Sequence, residues 1–292
     1  MCFEKQHTYM KHQFEFIELT VDDFLSRKNI LHEIKDGKPA GVIVKNFLSS
    51  NECSVMKENF YDKIAGKSQL PLNQGCTYPT VFNHHHRETG GDPQKMATYF
   101  ESCSNYIKTF KEEFGVDAPQ KFQEMFASGS GTGMAKIMPD SDFKNVYPAF
   151  SFRDLNPGTG EMTLHCGLFF YGFNPPVYEH ILKVVEPGDQ LSFFAMIQKP
   201  DSGGALTIFD ATWDEVDKRV SDLELEAKDG THLFIGKDLD SFPVDIDTGD
   251  LLIFNGGRIW HRVEMVHGEQ HRLTLGGFIG FAPEKSAVYY WT

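Results

Sequence analysis

The chain has 292 residues, a formal net charge of −13 and 26 phenylalanines against three tryptophans. Such a length can bury a sizeable core, and the acidic balance argues against a nucleic-acid or anionic-membrane surface. Five scattered cysteines (Cys2, Cys53, Cys76, Cys103, Cys166) with no Cys-x-x-Cys pair argue against a disulfide framework or a zinc ribbon and fit a reducing compartment. No apolar run approaches the roughly 20 residues of a membrane span, and the first residues lack the apolar stretch of a signal peptide. A cytoplasmic protein is expected.

In chain order, residues 1–40 are polar and mixed, with a short helix expected at Val21–Leu31. Ala40–Asn46 has strand character. It leads into a helix announced by the capping box Ser49-x-x-Glu52, with Cys53, Met56, Phe60 and Ile64 at helical spacing. Residues 65–92 read as a surface loop despite His84-His85-His86, because adjacent side chains do not converge on a regular element. Asp92-Pro93 is an N-cap and first-turn pair. The helix it opens carries Met96, Phe100, Cys103, Ile107, Phe110 and Phe114 on one face and stops at Gly115. A short helix follows at Gln120–Phe126. Ser128–Gly133 lacks the Lys-Ser/Thr of a phosphate loop and reads as a flexible connection.

From about residue 146 the texture is that of strands. Short runs at 147–155, 161–170, 189–198, 204–211, 243–247, 250–255, 258–266 and 271–281 are separated by Gly- and Asp-rich turns. The expectation is a mainly β fold with flanking helices: a double-stranded β-helix (a cupin-like jelly roll) over 146–285, with residues 1–145 as an N-terminal helical elaboration packed on its outside. The 292 residues are expected to form a single domain. The acidic, partly helical-looking insertion 213–242 has the length of a lid.

Alternate residues of a strand share a face. In Met162–Phe170 this parity places Thr163, His165, Gly167 and Phe169 towards the roll. Met162, Leu164, Cys166, Leu168 and Phe170 fall on the other side, against the N-terminal helices. Ile259, His261, Val263 and Met265 share a second face; Arg272, Thr274 and Gly276 share a third. Closing these strands would gather His165, Gly167, His261, Arg272 and Thr274 into one pocket. Imidazoles suit Fe(II), and the planar fork of Arg272 suits a fixed carboxylate, with the Thr274 hydroxyl beside it. A lone strand histidine is more often a satisfied core residue than a ligand. Two of them, with an arginine eleven residues after the second, reverse those odds.

The pattern His165-x-Gly167…His261…Arg272 resembles the iron- and 2-oxoglutarate-dependent halogenases, in which a small residue replaces the usual carboxylate ligand. Asp189-Gln-Leu-Ser-Phe-Phe, the Gly203-Gly204 turn, Leu252-Ile-Phe-Asn-Gly-Gly-Arg, Trp260-His-Arg-Val, Leu275-Gly-Gly-Phe and Val288-Tyr-Tyr-Trp-Thr are similar to the freestanding indole-alkaloid halogenases of cyanobacteria, of the welwitindolinone and ambiguine type. The likeness is good over 146–292 and loose before it. It implies iron held by His165 and His261, chloride or bromide seated at Gly167, and 2-oxoglutarate on Arg272 and Thr274. It implies further that O2 drives halogenation of an unactivated sp3 carbon through a haloferryl, releasing succinate and carbon dioxide. The substrate so implied is a freestanding small natural product with no carrier protein, nucleic acid or membrane involved. Ser192 matches a family serine near the iron, and a strand serine bonded to its neighbours is the equal alternative. Arg153 lines the pocket or pairs with Asp154 or another acid. Cys166 falls on the packing face.

Three other readings stay open on sequence alone, one being an acceptor held on a carrier protein, against which the stretches of freestanding type argue. An ordinary hydroxylase would draw a carboxylate from elsewhere, His86-Arg-Glu88 and His267-Gly-Glu269 being HxE in letters, or would let water fill the vacancy. A non-enzymatic cupin-like binder would need a decayed site, against which the retained His165, His261, Arg272 and Thr274 argue. Tyr171–Lys183 and 213–242 are the segments expected to select the substrate.

Overall fold

The computed structural model describes residues 13–64, 71–72, 75–168, 175–186, 188–213, 225–228, 231–234, 239–284 and 286–292. Its first half runs β1 (Phe16–Leu19), α1 (Val21–Ser26), α2 (Ile30–Lys35), β2 (Gly41–Val44), α3 (Ser50–Lys63), β3 (Pro71–Leu72), β4 (Gly75–Tyr78), α4 (Phe82–Thr89), α5 (Pro93–Phe114), α6 (Ala118–Gly129) and β5 (Ala135–Ile137). The second half is β6 (Ser151–Leu155), β7 (Met162–His165), α7 (Pro175–Val184), β8 (Leu191–Gln198), β9 (Ser202–Gly203), β10 (Leu206–Thr212), β11 (Leu225–Lys228), β12 (Thr231–Phe234), β13 (Ser241–Val244), β14 (Leu251–Phe254), β15 (Ile259–Val263), β16 (Val266–His267), β17 (Arg272–Phe281) and β18 (Val288–Trp291).

Each of the eight expected strand runs contains a strand. They divide between two sheets. The larger has the order β1-β2-β14-β8-β17-β6-β4-β3, with β18 and β5 attached at β17; the smaller has the order β11-β12-β7-β15-β10-β13. Side chains alternate across the larger sheet. Leu191, Phe193, Ala195 and Ile197 of β8, with Leu273, Leu275 and Ile279 of β17, form one core with Phe60 of α3, Phe110 and Phe114 of α5, and Phe122 and Phe126 of α6. Their neighbours in sequence face the opposite way. Met196, Leu252, Phe254 and Leu155 meet Leu206, Ile208, Val244, Ile259 and Val263 of the smaller sheet in a second core. The helices therefore clothe one face of the larger sheet, and the second core lies between the sheets.

The helices start where their caps are. Ser49 and Glu52 exchange the two hydrogen bonds of a capping box at the head of α3, and Asp92 caps α5 before Pro93. Gly115 ends α5 in the left-handed conformation (φ 77°) that favours glycine. The expected helix at Val21–Leu31 is two short ones, α1 and α2, and that at Gln120–Phe126 begins at Ala118 and continues to Gly129.

Two expectations are corrected, and two segments lie largely or partly outside the described residues. His84-His85-His86 lie in the helix α4, closed by Gly90 in the left-handed conformation (φ 63°), and not in a loop. Adjacent residues still diverge there: His85 stacks on Tyr99, and His86 meets the Phe82 ring at a tilt. Of the insertion 213–242, expected to be partly helical, the described residues are Trp213, which is helical, the strands β11 and β12, and 239–242. β11 and β12 make a hairpin that joins β7 through Phe234 and Leu164, and most of the rest of that segment lies outside the described residues. Finally, Leu164 and Cys166 do not meet the N-terminal helices; they pack with Phe209, Ala211 and Trp260 on the far side of the smaller sheet. Of the segment Tyr171–Lys183, 171–174 also lies outside the described residues, and α7 occupies the remainder.

Candidate active site

β7 and β15 run antiparallel with His165 opposite His261. Two residues on, Val263 pairs with Met162, three positions back from His165. The extra residue is a bulge, and it breaks the simple alternation of β7. Met162 consequently turns into the inter-sheet core, while Leu164, two residues along, packs outside. His165 and His261 end with ring centroids 4.4 Å apart and planes at 57°. Phe254 meets His261 edge-on at 4.9 Å.

The backbone fixes both rings. His165 Nδ1 donates to the carbonyl of Thr163 at 2.6 Å, and His261 Nδ1 donates to the carbonyl of Ile259 at 2.8 Å. A carbonyl only accepts, so each Nδ1 carries the proton and each neutral ring keeps its lone pair on Nε2. Burial keeps them neutral. Desolvation, added to by the Arg153 charge, lowers the His165 pKa to about 4, and desolvation and the neighbouring His165 push His261 down as well.

Gly167 follows on the turn after β7. Its N–H donates to the carbonyl of Gly256 and the N–H of Leu168 to that of Gly257, both at 2.9 Å. A Cβ at Gly167 would stand 2.8 Å from Gln190 Nε2 and 2.9 Å from Gly257 Cα. The direction a side chain would take is thus filled by the Gln190 carboxamide and by backbone. The turn Gly256-Gly257 is tight for a related reason: a Cβ on Gly256 would fall 2.3 Å from Ser192 Oγ, and one on Gly257 2.2 Å from the Gln190 carbonyl. Ser192 thereby lies against the turn that holds Gly167 in place.

Arg272 and Thr274 of β17 pair with Leu155 and Arg153 of β6, and all face the inter-sheet space or border it. Arg272 is 2 % exposed, its guanidinium 4.9 Å above the Phe194 ring, and its Nε is buried with no hydrogen-bond partner. Desolvation and the nearby charge of Arg153 lower it to about 9, so it stays charged at neutral pH. Arg153 Nε is likewise buried and unbonded, and Nη1 reaches the thioether of Met162 at 2.9 Å. The expected pair of Arg153 with Asp154 is not formed. Successive residues of β6 face opposite ways, and Asp154 accepts instead from Tyr61 Oη and His271 Nδ1, each at 3.0 Å. Thr274 Oγ1 donates to the Arg153 carbonyl at 3.5 Å. A cavity of about 310 Å³ at the Gly203-Gly204 end of the sheets has Arg272 and Met196 in its wall.

The structure brings His165 and His261 together, with Gly167 on the adjoining turn, and brings Arg153 close enough to act on both imidazoles and on Arg272. Among the described residues no cluster of three His, Cys, Asp or Glu side chains forms a metal site. Of the two HxE sequences, His86 and Glu88 are in α4, and Glu269 is in a turn that donates backbone N–H to Asp201. Sequence reasoning missed Gln190, Gly256 and Gly257, which close on Gly167. All three lie in stretches that resemble the family, Asp189–Phe194 and Leu252–Arg258, but the sequence assigned them no role.

The fold that carries this pair of histidines has solved counterparts. It is similar over 99 % of the chain (and 100 % of the other) to an N-substituted L-amino acid dioxygenase from Burkholderia ambifaria AMMD, at 14 % identity and a TM-score of 0.61. A structure of that dioxygenase with alpha-KG is similar at 15 % identity, TM-score 0.57, over 90 % of each chain. At these identities the likeness is one of fold. The chain itself belongs to the carrier-protein-independent halogenase family, WelO5, whose pattern it matches over residues 13–292. That match takes in the N-terminal half, where the motifs were sparse. No curated protein matches the sequence significantly, and no described helix is long and apolar enough to cross a membrane.

Proposed function

We propose that the protein is an iron-, 2-oxoglutarate- and O2-dependent halogenase that places chlorine or bromine on an unactivated sp3 carbon of a freestanding small molecule. One observation carries the reading: two imidazoles, each held by a bond to its own strand, lie with ring centroids 4.4 Å apart, and the position two residues after the first has no side chain and no room for one.

The residues fit the implied groups. Fe(II) takes neutral imidazole, and the backbone bonds at Nδ1 turn both Nε2 atoms to that use, as an outer partner does for a metal-ligating histidine. His165 and His261 would hold the iron. The buried, unbonded Arg272 would hold the far carboxylate of 2-oxoglutarate, with Thr274 alongside. When bound, iron with 2-oxoglutarate and O2 supplies an oxidant able to remove a hydrogen atom from carbon, and a halide on the metal supplies the atom returned.

The chain's own part is positional. Gly167 keeps a protein carboxylate away from the metal, which leaves a halide to balance the charge. Gln190 and Gly257 stand where a side chain at residue 167 would begin. Ser192, held against Gly256, sits where a hydroxyl can orient a ligand at the same turn. We read the two facing sheets as a double-stranded β-helix, with 146–285 as core and 1–145 as its elaboration within one domain. The hairpin β11–β12 of the 213–242 insertion pairs with β7 at Leu164, next to His165, which supports reading the insertion as a cover for the site.

Anaerobic addition of Fe(II) and 2-oxoglutarate should give a visible charge-transfer band that shifts saturably with chloride. A band that ignores chloride and bromide would contradict the halide seat, and no band at all would return the protein to a non-enzymatic binder.

A further inference from the structure

Asp154 is a buried carboxylate that the proposed chemistry leaves unused. Its side chain is 6 % exposed and lies on the helix-clad face of β6, the face opposite Arg153. Tyr61 Oη of α3 and His271 Nδ1 donate to the same oxygen, Oδ1, each at 3.0 Å, and Cys76 Sγ of β4 is 4.0 Å from Oδ2. His271 is held at its other end as well: its carbonyl accepts from Gln198 Nε2 of β8 at 2.9 Å. The two residues before it are tied through their N–H groups to Asp201, at 2.8 and 3.0 Å. The approach to β17 is thus fixed by side chains.

The next residue is Arg272, the first of β17. Its ladder partner is Leu155 of β6. On the other side, pairing with β8 starts only at Leu273–Gln198 and skips Ile197 before Thr274–Met196. A strand end next to such an irregularity is weakly held by its own ladder. Yet Arg272 is buried, its Nε has no partner, and its guanidinium rests on the Phe194 ring. Its direction therefore depends on the backbone it leaves, and His271 ties that backbone to β8, to β6 and through Asp154 to α3. Burying a carboxylate on an aromatic face is costly, and an apolar pair there would fold at least as well.

We propose that Asp154 and His271 are positioning residues. Acting through the backbone at 271–272, they aim Arg272, and so make the protein prefer a 2-oxo acid that carries a second, distal carboxylate. The inference rests on the function proposed above, in which Arg272 holds that carboxylate. Two parallel guanidinium–carboxylate bonds require alignment, so a small turn of the arginine costs affinity for that group and for no other.

The test compares two ligands in protein loaded anaerobically with Fe(II) and chloride, titrated by calorimetry. One is 2-oxoglutarate; the other is 2-oxobutyrate, with the same 2-oxo acid head and no distal carboxylate. Wild type should bind 2-oxoglutarate about tenfold or more tighter, the worth of a charge-assisted pair. His271→Phe should lose about tenfold in 2-oxoglutarate affinity, the scale seen when an outer support of a ligating group is removed, with 2-oxobutyrate within about twofold of wild type. Asp154→Asn keeps an oxygen for both donors and should stay within about threefold for either ligand. Tyr61→Phe, which deletes one hydroxyl, should lose about threefold for 2-oxoglutarate alone. In protein already carrying Arg272→Leu, adding His271→Phe should change 2-oxoglutarate affinity by less than about twofold, because both act through one contact.

A His271→Phe protein that loses affinity for both ligands alike would make the cluster structural and overturn the proposal. So would a wild-type preference that survives His271→Phe unchanged. Should that variant not fold, Tyr61→Phe decides in the same way: loss for both ligands, or for neither, is the contrary result. A wild type with no preference for 2-oxoglutarate would be a different failure, removing the anchoring role of Arg272 itself and this inference with it.

Discussion

Arg272 lies buried beside a second guanidinium with its Nε unbonded. That arrangement costs folding free energy, and an incoming carboxylate relieves the cost. Arg272→Leu keeps the volume and removes the charge. The metal-free variant should be more stable than wild type by about 1–4 kcal/mol in urea unfolding. Its affinity for 2-oxoglutarate should fall by about a hundredfold, the range expected when one partner of a buried charge pair is lost. A less stable variant with unchanged 2-oxoglutarate affinity would show that Arg272 is structural. The histidines set a pH window of their own. Their pKa values are depressed in the fold, His165 to about 4, whereas an unfolded chain protonates near 6.5. As pH falls below about 6.5 the unfolded chain therefore binds more protons, and stability is lost progressively down to about pH 4, where the contribution of His165 levels off. The apoprotein's melting temperature should drop by roughly a few degrees per pH unit across that window. A flat profile there would contradict the buried neutral pair. The histidines, Gly167 and Arg272 were legible in the sequence because residue type and spacing carry their chemistry. The ties of Asp154 to Tyr61 and His271 were not, because they depend on which way Asp154 turns.

The strand β7 shows where element-scale reading stops. Alternation alone put Met162 and Leu164 on one face, but the bulge opposite β15 sends Met162 inward and Leu164 outward. Bulges are set by pairing between strands distant in sequence, so the run of letters holds no trace of this one. The helix α4 was misread for a different reason. Three histidines are indifferent helix formers, and the glycines that follow look like loop although Gly90 is a helix cap. Caps, by contrast, are local, and those of α3 and α5 were read correctly at Ser49 and Asp92. The turn after β7 carries its own prediction. Gly167→Asp keeps both imidazoles and should still bind iron, but the new Cβ must push Gln190 aside and shift the Gly257 backbone. Thermal or urea unfolding should register a loss of about 1–3 kcal/mol, and chlorination should disappear. Continued chlorination by that variant would refute the role given to the missing side chain.

At the scale of the whole molecule, the two largest cores among the described residues share one sheet. Phenylalanines from α3, α5 and α6 pack on its outer face, among them Phe60, Phe110, Phe114, Phe122 and Phe126, which accounts for much of the aromatic excess in the composition. Burying each contributes about 1.5–3 kcal/mol. This helical cladding leaves the inner face of the sheet to the pocket, where Phe194, Arg272 and Thr274 lie. The eight strand runs were legible from turn spacing, whereas β9, β11, β12, β16 and β18, and the division into two main sheets, depend on long-range pairing and were not. The central claim is that the site delivers a halogen and not a hydroxyl group. Purified protein with Fe(II), 2-oxoglutarate, oxygen and candidate small-molecule extracts, in chloride or in bromide, should be followed by mass spectrometry. The account predicts a product carrying the chlorine isotope pattern in one buffer and the bromine pattern in the other, with succinate formed in step. A hydroxylated product alone, unchanged by the halide, would contradict it.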